Sequence, residues 1–141
     1  MIGNSTQVRA VWAQGDLYEP YVGRWSRLVA RECLKWLGVR DGKRWLDVGC
    51  GTGALTQSIL QVAAPEAVLD VDLSEGFVEY ARAHVQDSRA IFRVADAQDI
   101  KTERGTFDAV VSGLVLNFVS NPVRMVAEMM RACRLYGRVA S

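Results

Sequence analysis

From residue 44 onward the chain alternates short apolar runs with amphipathic stretches. Arg44 to Val48 is apolar and runs into glycines, which predicts a strand. Ala54 to Val62 has helical spacing, and Pro65 closes the loop after it. Ala67 to Val71 predicts a second strand, and Ser74 to His84 a second helix with Ser74 as its N-cap. Ala90 to Val94 predicts a third strand, followed by a polar loop, and Phe107 to Ser112 a fourth. Asn121-Pro122 sets a capping residue before proline at a first helical position. That predicts a helix to about Arg134, with Val123, Val126, Met129, Met130 and Cys133 mostly on one face. Gly137 to Ala140 begins a fifth strand. Ahead of this pattern, residues 1–43 read as a helical preamble. There Trp25, Leu28, Val29, Cys33, Trp36 and Leu37 recur at helical spacing, and Gly38 ends the helix before the Asp41-Gly42 turn.

Strands alternating with helices imply a parallel sheet covered on both faces, whose strands read as continuous apolar runs. Right-handed crossovers make such a sheet doubly wound, and its ligand sits beyond the carboxyl ends of the strands where the order reverses. With 141 residues there is room for one domain, a 1–43 helical cap on a 44–141 core. A net charge of +1 gives no electrostatic footprint for nucleic acid or an anionic membrane. No apolar run reaches bilayer length, and the polar start MIGNSTQVRA lacks the apolar centre of a secretory signal. Cys33, Cys50 and Cys133 have neither disulfide nor zinc spacing; they read as small buried hydrophobes in a reducing, cytoplasmic setting. No metal cluster is expected.

The candidate chemistry centres on Asp47-Val48-Gly49-Cys50-Gly51-Thr52-Gly53. Glycines between a strand and a helix allow positive φ and close approach of a ligand, and the helix adds free N–H groups and the positive end of its dipole. Gly49-x-Gly51-x-x-Ala54, with Asp70 and Asp72 about twenty residues on, also satisfies a permissive dinucleotide fingerprint. Asp47 discriminates. A carboxylate two residues before the first glycine repels a pyrophosphate but suits S-adenosylmethionine, whose sulfonium and ammonium are both positive. The competing role for Asp47 is to bond loop N–H groups, and the two can coexist. Asp72, closing the second strand, can accept both ribose hydroxyls, whereas Asp70 lies deeper and suits a buried or capping role. Asp96-Ala97 after the third strand can meet an adenine, or Asp96 can be a plain loop acid.

With those residues in view, the chain resembles a class I S-adenosylmethionine-dependent methyltransferase. Leu46 to Gly53 matches the first motif, Val71-Asp72-Leu73-Ser74 the second, Asp96-Ala97 the adenine motif and Phe107 to Ser112 the fourth strand. Tyr18 to Ser26 is similar to the cap helix of the small-molecule branch. The resemblance implies a three-layer α/β Rossmann-like sheet of about five strands. It also implies that Asp47, Gly49, Cys50, Gly51 and Gly53 hold the methionine end. Asp72 with Leu73 would hold the ribose, Asp96 and Ala97 the adenine, and backbone near Ser112 the amino-acid part, with Tyr21 and Arg24 closing over the cofactor. S-adenosylhomocysteine would be the product and a small molecule the acceptor. Two departures stand out. The family adds two further strands that this sequence lacks, and Leu135-Tyr136-Gly137 replaces a Pro-Gly-Gly-like turn. The first is expected to leave the fifth strand as an apolar edge that invites a homodimer.

Methyl transfer needs positioning and water exclusion more than a base. None stands out. His84, at a helix end, reads as a surface residue, and Asn117 is equally suited to bonding an acceptor or capping a loop. Rival readings are a truncated or non-catalytic S-adenosylmethionine-binding module that self-associates, and a nucleotide-dependent oxidoreductase.

Overall fold

The structure, a computed structural model, describes residues 24–113 and 115–141, with the side chains of residues 24–26 left aside. The elements are α1 (Arg24–Leu37), β1 (Arg44–Val48), α2 (Ala54–Val62), β2 (Ala67–Asp72), α3 (Glu75–His84), β3 (Ala90–Val94), β4 (Phe107–Val111), α4 (Pro122–Ala132) and β5 (Cys133–Ala140). A short 3-10 turn, Leu116–Phe118, precedes α4. The five strands form one parallel sheet in the order β3-β2-β1-β4-β5. The chain winds outward from β1 to β3, then returns to the other side of β1 with β4, so the order reverses between β1 and β4.

The two faces of the sheet have separate cores. Leu34 and Leu37 of α1 and Ile59 of α2 pack with Trp45, Val68 and Ala109. Val78 and Ala81 of α3 pack with Cys50 and Phe92, and Leu60 joins both clusters, which puts α1, α2 and α3 on one face. On the other, Met125, Met129 and Ala132 of α4 pack with Leu46, Val48, Val71 and Val110. Caps set the helix starts: Ser74 Oγ accepts the Phe77 N–H at 3.3 Å, and Asn121 Oδ1 accepts the Arg124 N–H at 3.1 Å. Glu128 accepts the Ile100 N–H at 3.1 Å and Arg131 donates to the Thr102 carbonyl at 2.6 Å, tying the loop after β3 to α4.

Four expectations are corrected. On α1 the buried positions are Leu34 and Leu37, while Leu28, Val29, Cys33 and Trp36 are exposed. The helix has apolar residues on two stripes, and the sheet takes the one that Ala30, Leu34 and Leu37 make at i, i+4, i+7. Cys50 is buried but Cys133 only partly so. On α4 the inward stripe is Met125, Met129 and Ala132, with Val123 and Met130 exposed. The helix ends at Ala132 and the strand starts at Cys133, not Gly137. Phe107 pairs with Cys133 and Ala109 with Arg138, so residues 134–137 bulge, with Tyr136 in the left-handed region at φ 64°. Gly137 is required by space: a Cβ there would lie 2.4 Å from Cys133 Sγ and 2.7 Å from the Asp108 carbonyl oxygen.

Candidate cofactor site

The site forms where β1 ends beside the reversal of strand order. The Gly49 and Cys50 N–H groups both donate to the Val71 carbonyl, at 2.7 and 3.0 Å, fastening the turn to the end of β2. Gly49, Gly51 and Gly53 have φ of 74°, 53° and 87°, which side-chain-bearing residues rarely adopt. The three differ in what surrounds them. A Cβ on Gly49 would overlap Val115, at 2.4 Å from one methyl; a Cβ on Gly53 would press on Val85 at 3.0 Å and Ala81 at 3.3 Å. A Cβ on Gly51 would meet nothing within 4 Å among the described residues. Among the described residues Gly51 therefore borders open space, at the start of a helix that none of their side chains caps.

Asp72 organises the rim. Its Oδ2 accepts the Gly51 N–H at 2.9 Å and its Oδ1 the Ser74 N–H at 2.8 Å, so one carboxylate joins the glycine turn to the head of α3. The Leu73 N–H also acts on this carboxylate, and of its roughly four acceptor directions capacity for a further donor is left. Burial raises its pKa while the backbone donors pull it back. Leu73 beside it is exposed. Asp96 Oδ1 accepts the Gln98 N–H at 2.8 Å, and Ala97 packs against the α4-side core. Ser112 is buried; its N–H donates to the Ala140 carbonyl at 2.9 Å, and its Oγ has no partner among the described residues.

Beneath the turn lies a feature that sequence reasoning missed. Asp47 is 0 % exposed, as are Asp70 and Thr56. Thr56 Oγ1 lies 2.9 Å from Asp47 Oδ2 and also hydrogen-bonds Asp70 Oδ1. Asp47 is thus partnered by Thr56, where loop N–H groups had been the competing expectation. Burial, offset in part by the Thr56 hydrogen bond, pushes Asp47 up to about 7, with the Asp72 charge adding to the rise. Burial and then Asp47 hold Asp70 well above the carboxylate range as well. Burial, then Asp47, Asp70 and Asp72, push the Cys50 thiol far up, which leaves it no thiolate character. The one hint in the sequence was that Asp47 and Asp70 each interrupt an apolar strand; nothing in it placed Thr56 between them.

Tyr21 lies outside the described residues, and of Arg24 only the backbone, at the start of α1, is described. His84 is exposed and stacked on Tyr80 with ring centroids 3.8 Å apart. Asn117 is exposed in the 3-10 turn. No group of three His, Cys, Asp or Glu among the described residues could hold a metal, and no described helix is long and apolar enough to cross a membrane.

Against known families, residues 46–141 match the methyltransferase domain. The chain belongs to the class I S-adenosylmethionine-dependent methyltransferases. This methyltransferase domain is 36 % identical over 115 residues to the ribosomal protein L11 methyltransferase of Neisseria gonorrhoeae, covering 78 % of the chain and 36 % of that protein. It is 39 % identical over 95 residues to the malonyl-[acyl-carrier protein] O-methyltransferase of Hahella chejuensis, covering 67 % of the chain and 34 % of that protein. The methyltransferase domain thus spans about a third of the length of these curated relatives. In fold it superposes on a Haloferax volcanii methyltransferase solved with its Trm112 activator, with a TM-score of 0.83 at 22 % identity, covering 89 % of this chain and 55 % of that one.

Proposed function

We propose that this domain binds S-adenosylmethionine across the carboxyl ends of β1, β2 and β3 and directs its methyl group to an acceptor. The observation that carries the reading is the Asp72 carboxylate, which joins Gly51 to Ser74 and still has acceptor capacity beside the open side of the glycine turn. The residues present fit the cofactor. Gly51 leaves space against bare backbone, the head of α2 is uncapped, and no cationic side chain hydrogen-bonds Asp47 or Asp72 in the described structure. A pyrophosphate would face the Asp47–Asp70–Asp72 cluster, which disfavours the oxidoreductase reading.

S-adenosylmethionine supplies a methyl group already activated by its sulfonium. In this reading Gly49, Gly51 and Gly53 with Cys50 line the methionine end, and Asp72, with Leu73 beside it, accepts the ribose hydroxyls. Asp96 and Ala97 meet the adenine, and backbone at Ser112 meets the amino-acid group. The domain's task is to hold the donor in line with the acceptor and exclude water, with no general base assigned. The sequence expectation was a small-molecule acceptor. The two relatives are named for a ribosomal protein and a malonyl-acyl carrier protein, so both acceptor classes belong in the assay.

The test is equilibrium dialysis with methyl-labelled S-adenosylmethionine, followed by label transfer to a panel holding small molecules, ribosomal protein and acyl-carrier-protein thioesters. Saturable binding at one site with transfer to one class is expected; no saturable binding up to millimolar cofactor overturns the reading. A second reading, a self-associating binding module, draws on β5. This strand is the edge of the described sheet and exposes Leu135, Tyr136 and part of Val139. Light scattering that gives a dimer, together with binding but no transfer, would favour it.

A further inference from the structure

The acid cluster under the glycine turn has too few hydrogens for its contacts. Asp47 and Asp70 are register partners on adjacent parallel strands, so both side chains leave the sheet on the same face. Thr56 of α2 lies over them and hydrogen-bonds both, Asp47 Oδ2 at 2.9 Å and Asp70 Oδ1. A threonine hydroxyl has one hydrogen and can donate it to one carboxylate only. The second contact is a hydrogen bond only if the other carboxyl is protonated and donates to Thr56. All three residues are fully buried, and Asp47 Oδ1 and Asp70 Oδ2 have no partner among the described residues.

The groups facing the cluster do not neutralise it. From the end of β2 comes the Asp72 carboxylate, from the turn the Cys50 thiol and from α2 the Thr56 hydroxyl, while on β4 the register partner of Asp47 is the apolar Val111. Two buried carboxylates with no cation beside them among the described residues and a third acid near by are strongly disfavoured, whereas one shared proton leaves a single negative charge. The direction of the shifts agrees, since burial raises both acids and Asp47 reaches about 7.

We propose that Asp47, Thr56 and Asp70 form a one-proton acid pair, and that a positive charge settling on the glycine turn drives this proton out to solvent. The second half rests on the cofactor reading above. The balance is simple: the neutral carboxyl gives up its proton to water or buffer, both carboxylates are then ionised, and the ligand's cation compensates the added charge. Asp70 acts through Asp47 and is a positioning residue. The consequence is that cofactor affinity increases with pH, by up to about tenfold per pH unit while the pair retains its proton.

The first arm of the test needs no cofactor. Carbon-13 NMR of aspartate carboxyls in the unliganded protein at pH 6 is expected to show one buried carboxyl protonated, a signature lost in both Asp70→Asn and Asp47→Asn. If every aspartate is ionised at pH 6, the pair is refuted. The second arm is calorimetry with S-adenosylmethionine at pH 6.5 in buffers of different ionisation enthalpy. Release of between half a proton and one proton per ligand is expected, roughly as the pair's titration near neutrality implies. Asp70→Asn should bind with no release and a flat pH dependence. Binding without proton release by the wild-type protein refutes the coupling. Absence of any binding refutes the cofactor reading and with it the coupling, while the first arm still decides whether the pair holds one proton.

Discussion

Replacing Gly51 with alanine separates what the glycine turn does for the fold from what it does for a ligand. Gly51 has φ 53°, and a side-chain-bearing residue in the left-handed region costs roughly 1–2 kcal/mol. Roughly half a kcal/mol is recovered because alanine restricts the unfolded chain. The new methyl meets nothing within 4 Å among the described residues, so no packing term is added. The expected loss of stability is about 1 kcal/mol. Gly49→Ala has the same backbone term at φ 74°, but its methyl would lie 2.4 and 2.8 Å from the two methyls of Val115. Displacing a packed side chain adds about 1–3 kcal/mol, for a total of about 2–4 kcal/mol. Urea unfolding followed by circular dichroism measures both losses, provided the slope m is unchanged. For S-adenosylmethionine binding, Gly51→Ala is expected to weaken affinity at least about tenfold, because the methyl fills the space above the backbone. The reasoning is refuted if Gly51→Ala destabilises the fold as much as Gly49→Ala, or if it binds the cofactor as tightly as the wild type.

Other outcomes follow from the same geometry. Asp72→Ala should weaken S-adenosylmethionine binding by roughly 1.5–3 kcal/mol, the range for a hydrogen bond to a charged group, measured by calorimetry; unchanged affinity would remove Asp72 as the ribose acceptor. Tyr136→Gly should stabilise the protein by about 1 kcal/mol in urea unfolding, since Tyr136 is 89 % exposed and held at φ 64°. Asp47 and Asp70 are raised in the folded state, so the proton they hold stabilises the protein fully below the unfolded value of 3.8. For Asp47 that stabilisation is lost as pH rises through about 7, and Asp70 is raised in the same direction. The loss is about 1.4 kcal/mol per pH unit for each proton. Thermal unfolding at pH 5 and pH 7.5 should therefore show a smaller fall for Asp70→Asn than for the wild type, and an equal fall would contradict the burial argument.

Much of the fold could be read from local signals, because each element edge carries one. Glycines at 49–53 close β1, Ser74 caps α3, and Asn121-Pro122 opens α4; all three are local chemistry. The errors came where the deciding contact is remote. Two apolar stripes on α1 are equally good helices, and only the sheet chooses Leu34 and Leu37 over Leu28 and Trp36. The start of β5 depends on a bulge against β4 that puts Tyr136 in a conformation no tyrosine announces. The rim of the site was legible because Asp72 and the glycines are sequence motifs on adjacent strand ends. The acid pair was not, because it depends on the Asp47–Asp70 register and on Thr56 in the first turn of α2.

The most direct test of the account is a residue-resolved amide titration of this domain with S-adenosylhomocysteine, the expected product. Saturable shifts are expected at Gly49, Gly51 and Gly53, at Leu73, at Asp96 and Ala97, and at Ser112, with the outer face of α4 unmoved. Shifts confined to other surfaces, or none up to millimolar ligand, would contradict it.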